Sequence, residues 1–369
     1  MAAPDFHVFC RVVDNYGDAG VCWRLARELV AEHGVGVAFF IDDRATLARI
    51  ESRVDVHADA QVVAGVVVRR IDDAARHALP AVVVEGFGCG LPGDYVAAMA
   101  AAVAKPLWIN LEYLSAEPWV DAAHALASPH PQLPLVRHFW FPGFTARTGG
   151  LLRERDLFAR RDAWRARHPR HDDALRVLLF TYDNAALPAL FAHWSTGTER
   201  ICCEVPEGVA VASLEAWLDA PVPAPGGRLV RGRVEIAVVP FTDLDGFDRR
   251  LFGADVSFVR GEDSFVRAQW AARPFVWQPY RQREGAHVAK LDAFLARYVA
   301  DLGDDARSAV ASLWHAFVAE DAGAIGGAWD AFRAARAPLA LHASTWAMRL
   351  VAEVPELAAS LVAWSRERL

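Results

Sequence analysis

The chain has 369 residues, 54% of them hydrophobic and 23% charged, which excludes a disordered chain and gives length for two packed domains. Thirty-nine lysines and arginines against 46 aspartates and glutamates leave a net charge of −7, excluding any general attraction to nucleic acid or anionic lipid. Five cysteines without a Cys-x-x-Cys pair, the lack of an apolar run near the ~18 residues of a membrane span, and a start without a basic, apolar leader point to a soluble cytoplasmic protein without structural zinc.

In chain order, HVFCRVVD is a short apolar run that meets Asp14, Asn15 and Gly17, after which AGVCWRLARELVAEHG places apolar residues at helical spacing. This predicts strand, tight loop and helix, the helix stopping at Gly34. VGVAFFID predicts a second buried strand, and QVVAGVVVRRI, LPAVVVEGFG and KPLWINLEY three further β-rich runs, separated by helix-like segments such as DYVAAMAAAVA. The first 145 or so residues therefore predict a doubly wound α/β layer. From FPGFTARTGGLLRERDL to about residue 174, HPRHDD included, the composition turns arginine-rich and polar and suits a domain boundary.

A second sheet is predicted from ALRVLLFTYDN, ERICCEVPEG, VRGRVEIAVVPF, ADVSFVR and RPFVWQPY, with a turn and helix at GEDSFVRAQWAA. PVPAPGG at 221–227 reads as a surface connection, and the chain from Ala286 onward as mostly helical. Two such domains in series are expected to bind ligands at a cleft between the carboxyl ends of their sheets.

Three groups of residues could carry chemistry. Asp14-Asn15-Tyr16-Gly17-Asp18 lies where the first strand meets the first helix. Its carboxylates suit a base and an orienting partner, with Gly17 allowing close backbone approach, although helix capping is the commoner use of such aspartates. Arg260-Gly261-Glu262-Asp263-Ser264 opens a helix. Main-chain N–H groups, an arginine and a hydroxyl there suit a diphosphate, or else Asp263 or Ser264 caps the helix and Arg260 neutralises Glu262. Phe180, Tyr182, Phe241 and Tyr280 all follow predicted strands of the second sheet, where they either stack on a flat base or fill the core.

His124, His130 and His138 lack the i+4 partner of a helical metal site, and no GxSxG elbow, Walker loop or DxD pair stands in a suitable place. Metal-free chemistry without a cofactor is favoured.

With these residues in view the chain resembles the EarP family, the protein-arginine rhamnosyltransferases that modify translation elongation factor P. The resemblance rests on DNYGDAGVCWRLAREL, INLEYLSAEPWV, SPHPQLPL, FWFPGFTARTGGLL, FVRGEDSFVRAQWAARPFVWQPY and HVAKLDAFLARY, spread from residue 7 to residue 298. It implies a GT-B type α/β fold of two Rossmann-like domains facing across a cleft. The acceptor-side domain would cover residues 1–155, with a C-terminal helix of about 345–369 able to pack back on it, and the nucleotide-sugar domain 175–340.

The implied reaction moves L-rhamnose from dTDP-β-L-rhamnose to one arginine of elongation factor P with inversion. By the same resemblance Asp18 matches the general base and Asp14 its supporting carboxylate, and Glu262 an active-site carboxylate. Arg260, Asp263 and Ser264 match donor-binding positions, and Tyr182, Phe241 and Tyr280 the surroundings of the thymine. Asn15, Tyr16, Gly17, Phe180 and Gly261 complete the expected binding set. The chain departs from the family pattern at Leu244, where a glutamine is usual, at Arg281, where a proline is usual, and at Gly90. The competing readings are a GT-B transferase or epimerase using another sugar nucleotide, and a non-catalytic binder of elongation factor P.

Overall fold

The structure is a computed structural model that describes residues 5–13, 16–170 and 172–369, the side chain of Arg283 excepted. Its contacts divide the chain into two compact units, one of residues 1–155 with 350–369, the other of residues 156–349.

The first unit opens with β1 (Phe6–Cys10), α1 (Gly17–His33), β2 (Val37–Ile41) and α2 (Arg44–Ile50). A hairpin of β3 (Ala60–Val63) and β4 (Val66–Arg70) follows, then β5 (Val82–Gly86), α3 (Gly93–Ala101), β6 (Leu107–Leu111), the single turn α4 (Val120–Ala123), β7 (Ala127–Pro129) and β8 (Val136–Trp140). The sheet order is β3-β4-β2-β1-β5-β6-β8-β7, parallel except for the edge strands β3 and β7. β1, β2 and β5 are buried at every residue, as strands covered on both faces must be, and so read as unbroken apolar runs. α1 stops where Gly34 adopts φ +64° and returns its N–H to Leu29 O and Val30 O, a left-handed cap that a Cβ would strain.

One core cluster of this unit joins Phe9 and Phe40, stacked at 4.9 Å, to Tyr95, Met99 and Trp108. Full burial of each such side chain contributes about 1.5–3 kcal/mol. His7 is completely buried in the same place, its Nδ1 2.7 Å from the Tyr95 hydroxyl, and burial pushes its imidazole down to about 3.

The second unit contains α5 (Leu157–Arg167), β9 (Leu175–Leu179), α6 (Leu187–Thr196), β10 (Ile201–Pro206), α7 (Val211–Leu218) and the hairpin β11 (Arg228–Arg231) and β12 (Val234–Val239). It continues with α8 (Leu244–Gly253), β13 (Val256–Arg260), α9 (Asp263–Ala271), β14 (Phe275–Gln278), α10 (Ala286–Tyr298), α11 (Asp304–Val318) and α12 (Ile325–Ala334). Its sheet runs β11-β12-β10-β9-β13-β14, parallel but for β11. α9 is tied to α8 by Arg267, which donates from Nε and Nη2 to both oxygens of Asp248 at 2.9 and 2.6 Å, both side chains almost wholly buried.

α13 (Arg336–Glu353) leads back to the first unit, which α14 (Leu357–Arg366) completes by packing on α1. Leu357, Ala358, Leu361 and Val362 supply its buried face. Trp364 meets His138 and Trp140 edge-on, Ser360 Oγ donates to Gly149 O at 2.6 Å, and Leu151 exchanges main-chain hydrogen bonds with Pro355 and Leu357.

Three local expectations are corrected. QVVAGVVVRRI is a hairpin turning at Ala64 and Gly65, which both have positive φ. VRGRVEIAVVPF likewise folds back at Gly232. The arginine-rich boundary segment holds α5, whose Arg165 donates to Phe252 O and Ala271 O and so ties the helix to the ends of α8 and α9. β7 and β8 were not anticipated. Among the described residues no helix is long and apolar enough to cross a membrane.

Candidate active site

In the first unit the polar residues gather at the carboxyl ends of β1, β5 and β6, which are adjacent in the sheet. Asp18 stands in the first turn of α1, 3% exposed, and its carboxylate accepts the Val13 N–H at 2.9 Å. It therefore holds the incoming loop instead of closing the helix end, whose cap position belongs to Tyr16, with no side-chain cap bond. Gly17 begins the helix, and Gly20 N–H reaches Tyr16 O at 2.8 Å. Asp14 and Asn15 lie outside the described residues.

Beside this loop β5 ends at Gly86, where a Cβ would come within 2.6 Å of Cys22 Sγ and 2.8 Å of Phe9 O, so only glycine lets α1, β1 and β5 close up. Phe87 follows with φ +55° and stacks on Tyr113 at 4.6 Å and 18°. Asn110 locks the two loops together: its Oδ1 accepts the Gly88 N–H at 2.9 Å and its Nδ2 donates to Glu112. Phe87, Asn110, Glu112 and Tyr113 were given no role from the sequence. The available signal was Asn110 and Glu112 at period-two spacing on the end of an otherwise apolar strand.

In the second unit the expected residues collect at the carboxyl ends of β9, β13 and β14. β9 and β13 are paired neighbours, so Phe180 and Tyr182, just after β9, reach Arg260 at the end of β13. The Arg260 guanidinium carbon lies 4.7 Å from each of the two ring centroids, and Nη1 donates to Thr181 O at 3.1 Å. The arginine fork is thus fixed by two π faces and a carbonyl. Gly261, with φ +56°, donates its N–H to Gln278 O at 3.2 Å while its carbonyl accepts from Trp277 Nε1 at 2.8 Å.

This turn delivers Glu262 to the cap position of α9, where it makes no side-chain cap bond, and Asp263 to the first turn. Ser264 does not cap the helix either: its Oγ accepts the Arg260 N–H at 3.1 Å and donates to Arg260 O, fixing the residue before the turn. Gln278 Oε1 accepts the Tyr182 N–H at 2.9 Å, and Tyr280, half exposed, stands edge-on to Tyr182 at 5.8 Å. Phe241 is partly buried after β12, two strands from β9, and Leu244 opens α8 behind Asp243, whose side chain accepts the Gly246 N–H. The helix start, glycine turn and held guanidinium form a set suited to an anion.

A family model described as Elongation-Factor P (EF-P) rhamnosyltransferase EarP matches residues 6–366. The chain belongs to this EarP family. It is 44% identical to a protein-arginine rhamnosyltransferase of Pseudomonas putida over 98% of both chains, and 41% identical to one of Pseudomonas aeruginosa with the same coverage. A solved structure described as the basis for EarP-mediated arginine glycosylation of translation elongation factor EF-P matches with a TM-score of 0.69 and 35% identity, over 98% of this chain and 99% of that one. A glycosyltransferase from Rickettsia africae, 8% identical, matches in fold alone with a TM-score of 0.52 over 100% and 99% of the chains. The fold is of the GT-B type and the protein is a glycosyltransferase, a protein-arginine rhamnosyltransferase by family.

Two of the histidines weighed as metal ligands accept main-chain hydrogen bonds. His124 Nδ1 accepts the Phe141 N–H, burial pushing this ring down to about 4, and His130 Nδ1 accepts the Gln132 and Leu133 N–H groups.

Proposed function

We propose that the protein transfers L-rhamnose from dTDP-β-L-rhamnose to one arginine of translation elongation factor P, inverting the anomeric carbon and needing no metal. The observation that carries the donor assignment is Arg260, held between Phe180 and Tyr182 at the glycine turn before α9. A guanidinium so oriented presents its fork in a fixed direction to phosphate oxygens, and the start of a nine-residue helix adds main-chain donors. Tyr182, Phe241 and Tyr280 take the thymine, and Asp263 and Ser264 shape the diphosphate loop.

An arginine acceptor is a poor nucleophile, since its nitrogen lone pairs are delocalised and its pKa exceeds about 12. Asp18 and Glu262, with Asp14 in support of Asp18, orient the guanidinium and weaken that delocalisation. Glu112, held by Asn110, and the stacked Phe87–Tyr113 pair offer the carboxylate and flat faces that a guanidinium prefers. As the new C–N bond forms, the bond from the anomeric carbon to the diphosphate oxygen breaks. The guanidinium proton passes to Asp18, and the departing diphosphate charge falls on Arg260 and the α9 start. One displacement opposite the leaving group inverts the centre.

Purified protein incubated with dTDP-β-L-rhamnose, elongation factor P and EDTA is expected to add a single deoxyhexose to one arginine, read by mass spectrometry, with the α configuration by NMR. Transfer from a UDP-sugar in preference would replace the donor, as Leu244 in the base region allows. Loss of transfer with EDTA, restored by a divalent cation, would end the metal-free reading, and absence of any transfer would leave a binding protein.

A further inference from the structure

The second unit carries a cavity of about 1160 Å³ lined by the end of α5, by the segment from Thr242 through α8 to Asp255, and by residues of β9 and β10. In a chain of net charge −7, the described residues lining it include seven arginines and only two carboxylates, Glu204 and Asp255. Those acids are already engaged, Glu204 with Arg250 at 3.0 Å and Asp255 with Arg170. Among the described residues Arg165, Arg249 and Arg273 have no carboxylate within 4 Å.

Arg165 is half-buried and gives its donors to Phe252 O and Ala271 O. Burial, then the positive charges of Arg273 and Arg161, push it down to about 10. Arg273 Nε is buried with no hydrogen-bond partner. Like charges crowded in a partly desolvated cavity repel one another, a cost that an anion in the cavity would offset. Trp164, stacked on His168 at 4.2 Å and 15°, adds a flat aromatic face.

We propose that this cavity binds a polyphosphate anion, free or as the phosphate chain of a nucleotide. Arginine forks match phosphate oxygens two at a time, and the volume exceeds what one orthophosphate fills. Asp255 precedes β13 and Arg260 ends it, so the Asp255 end of the cavity lies about 16 Å along the strand from Arg260 at ~3.3 Å per residue. It is a second anion site of the same unit.

The test is calorimetric titration of the whole protein with sodium tripolyphosphate and with ATP, using wild type, R249E, R249E/R273Q, W164A and R260A. Tripolyphosphate is expected to bind wild type and R260A alike, and the double variant at least about tenfold more weakly, which corresponds to about 1.4 kcal/mol. R249E changes an exposed residue and keeps the test valid should the double variant not fold. ATP binding tighter than tripolyphosphate, with the gain lost in W164A, identifies a nucleotide, and equal binding identifies the phosphate chain alone. Absence of binding to wild type, or binding lost in R260A and kept in R249E, overturns the proposal.

Discussion

Arg260 presents its guanidinium to the face of Tyr182 at 4.7 Å, matched at the same distance by Phe180. Charge, ring and turn are thereby one unit, since Ser264 holds the main chain of the same arginine and Gln278 that of the same tyrosine. A charge-assisted hydrogen bond contributes about 1.5–3 kcal/mol. R260A is therefore expected to weaken dTDP binding by roughly ten- to a hundredfold. R260K should recover little, because an ammonium neither forks nor stacks as a guanidinium does. Calorimetry with dTDP decides it, and an unchanged Kd would remove Arg260 from the donor site.

D18N keeps the shape of the side chain and an oxygen to accept the Val13 N–H, but loses the charge and the basicity. Transfer is expected to vanish while dTDP affinity stays near wild type. Intact folding with lost donor binding would show that this loop belongs to the donor instead.

Asp248 and Arg267 form a buried, bidentate pair. Removing one partner of such a pair strands the other charge in low dielectric and costs about 3–5 kcal/mol. D248A should lower the unfolding midpoint of the second unit sharply. D248L/R267M, which strands no charge, should recover most of the loss. A D248A melt within a degree of wild type would refute the energetic role of the pair.

His7 gives the stability a pH dependence of known sign. Its folded pKa, about 3, lies below the ordinary value near 6.5. Between those two pH values the unfolded chain binds a proton that the folded chain does not, and stability falls as pH falls through that window. At pH 5 the penalty is about 2 kcal/mol. Urea unfolding at pH 7.5 and pH 5 should show a loss in wild type that H7Q reduces. Equal losses in the two proteins would mean that His7 takes up its proton without opening the core.

The parallel scaffold was readable because both-face burial makes strands such as VAFFI continuous and because Gly34 marks where α1 must stop. The hairpins were not, since Ala64-Gly65 and Gly232 interrupt runs whose residues all favour strand, and only edge pairing reveals the reversal. α5 was hidden because its fixing contacts, Arg165 to Phe252 O and Ala271 O, span about a hundred residues. Phe180, Tyr182, Arg260 and Tyr280 could each be singled out locally. That Arg260 meets Phe180 and Tyr182 follows from the pairing of β9 with β13, which no local pattern encodes. The joint of Phe87, Asn110 and Glu112 is equally non-local, and its asparagine looks in sequence like any strand-end polar residue.

The seating of α14 on α1 imposes an order on biosynthesis. The opening layer cannot close until residues 350–369 have left the ribosome, so the intervening sheet has time to form while the apolar flank of α1 still waits for its cover. A nascent chain arrested before Leu357 should therefore be a client for chaperones, its earliest-made half being the last to mature.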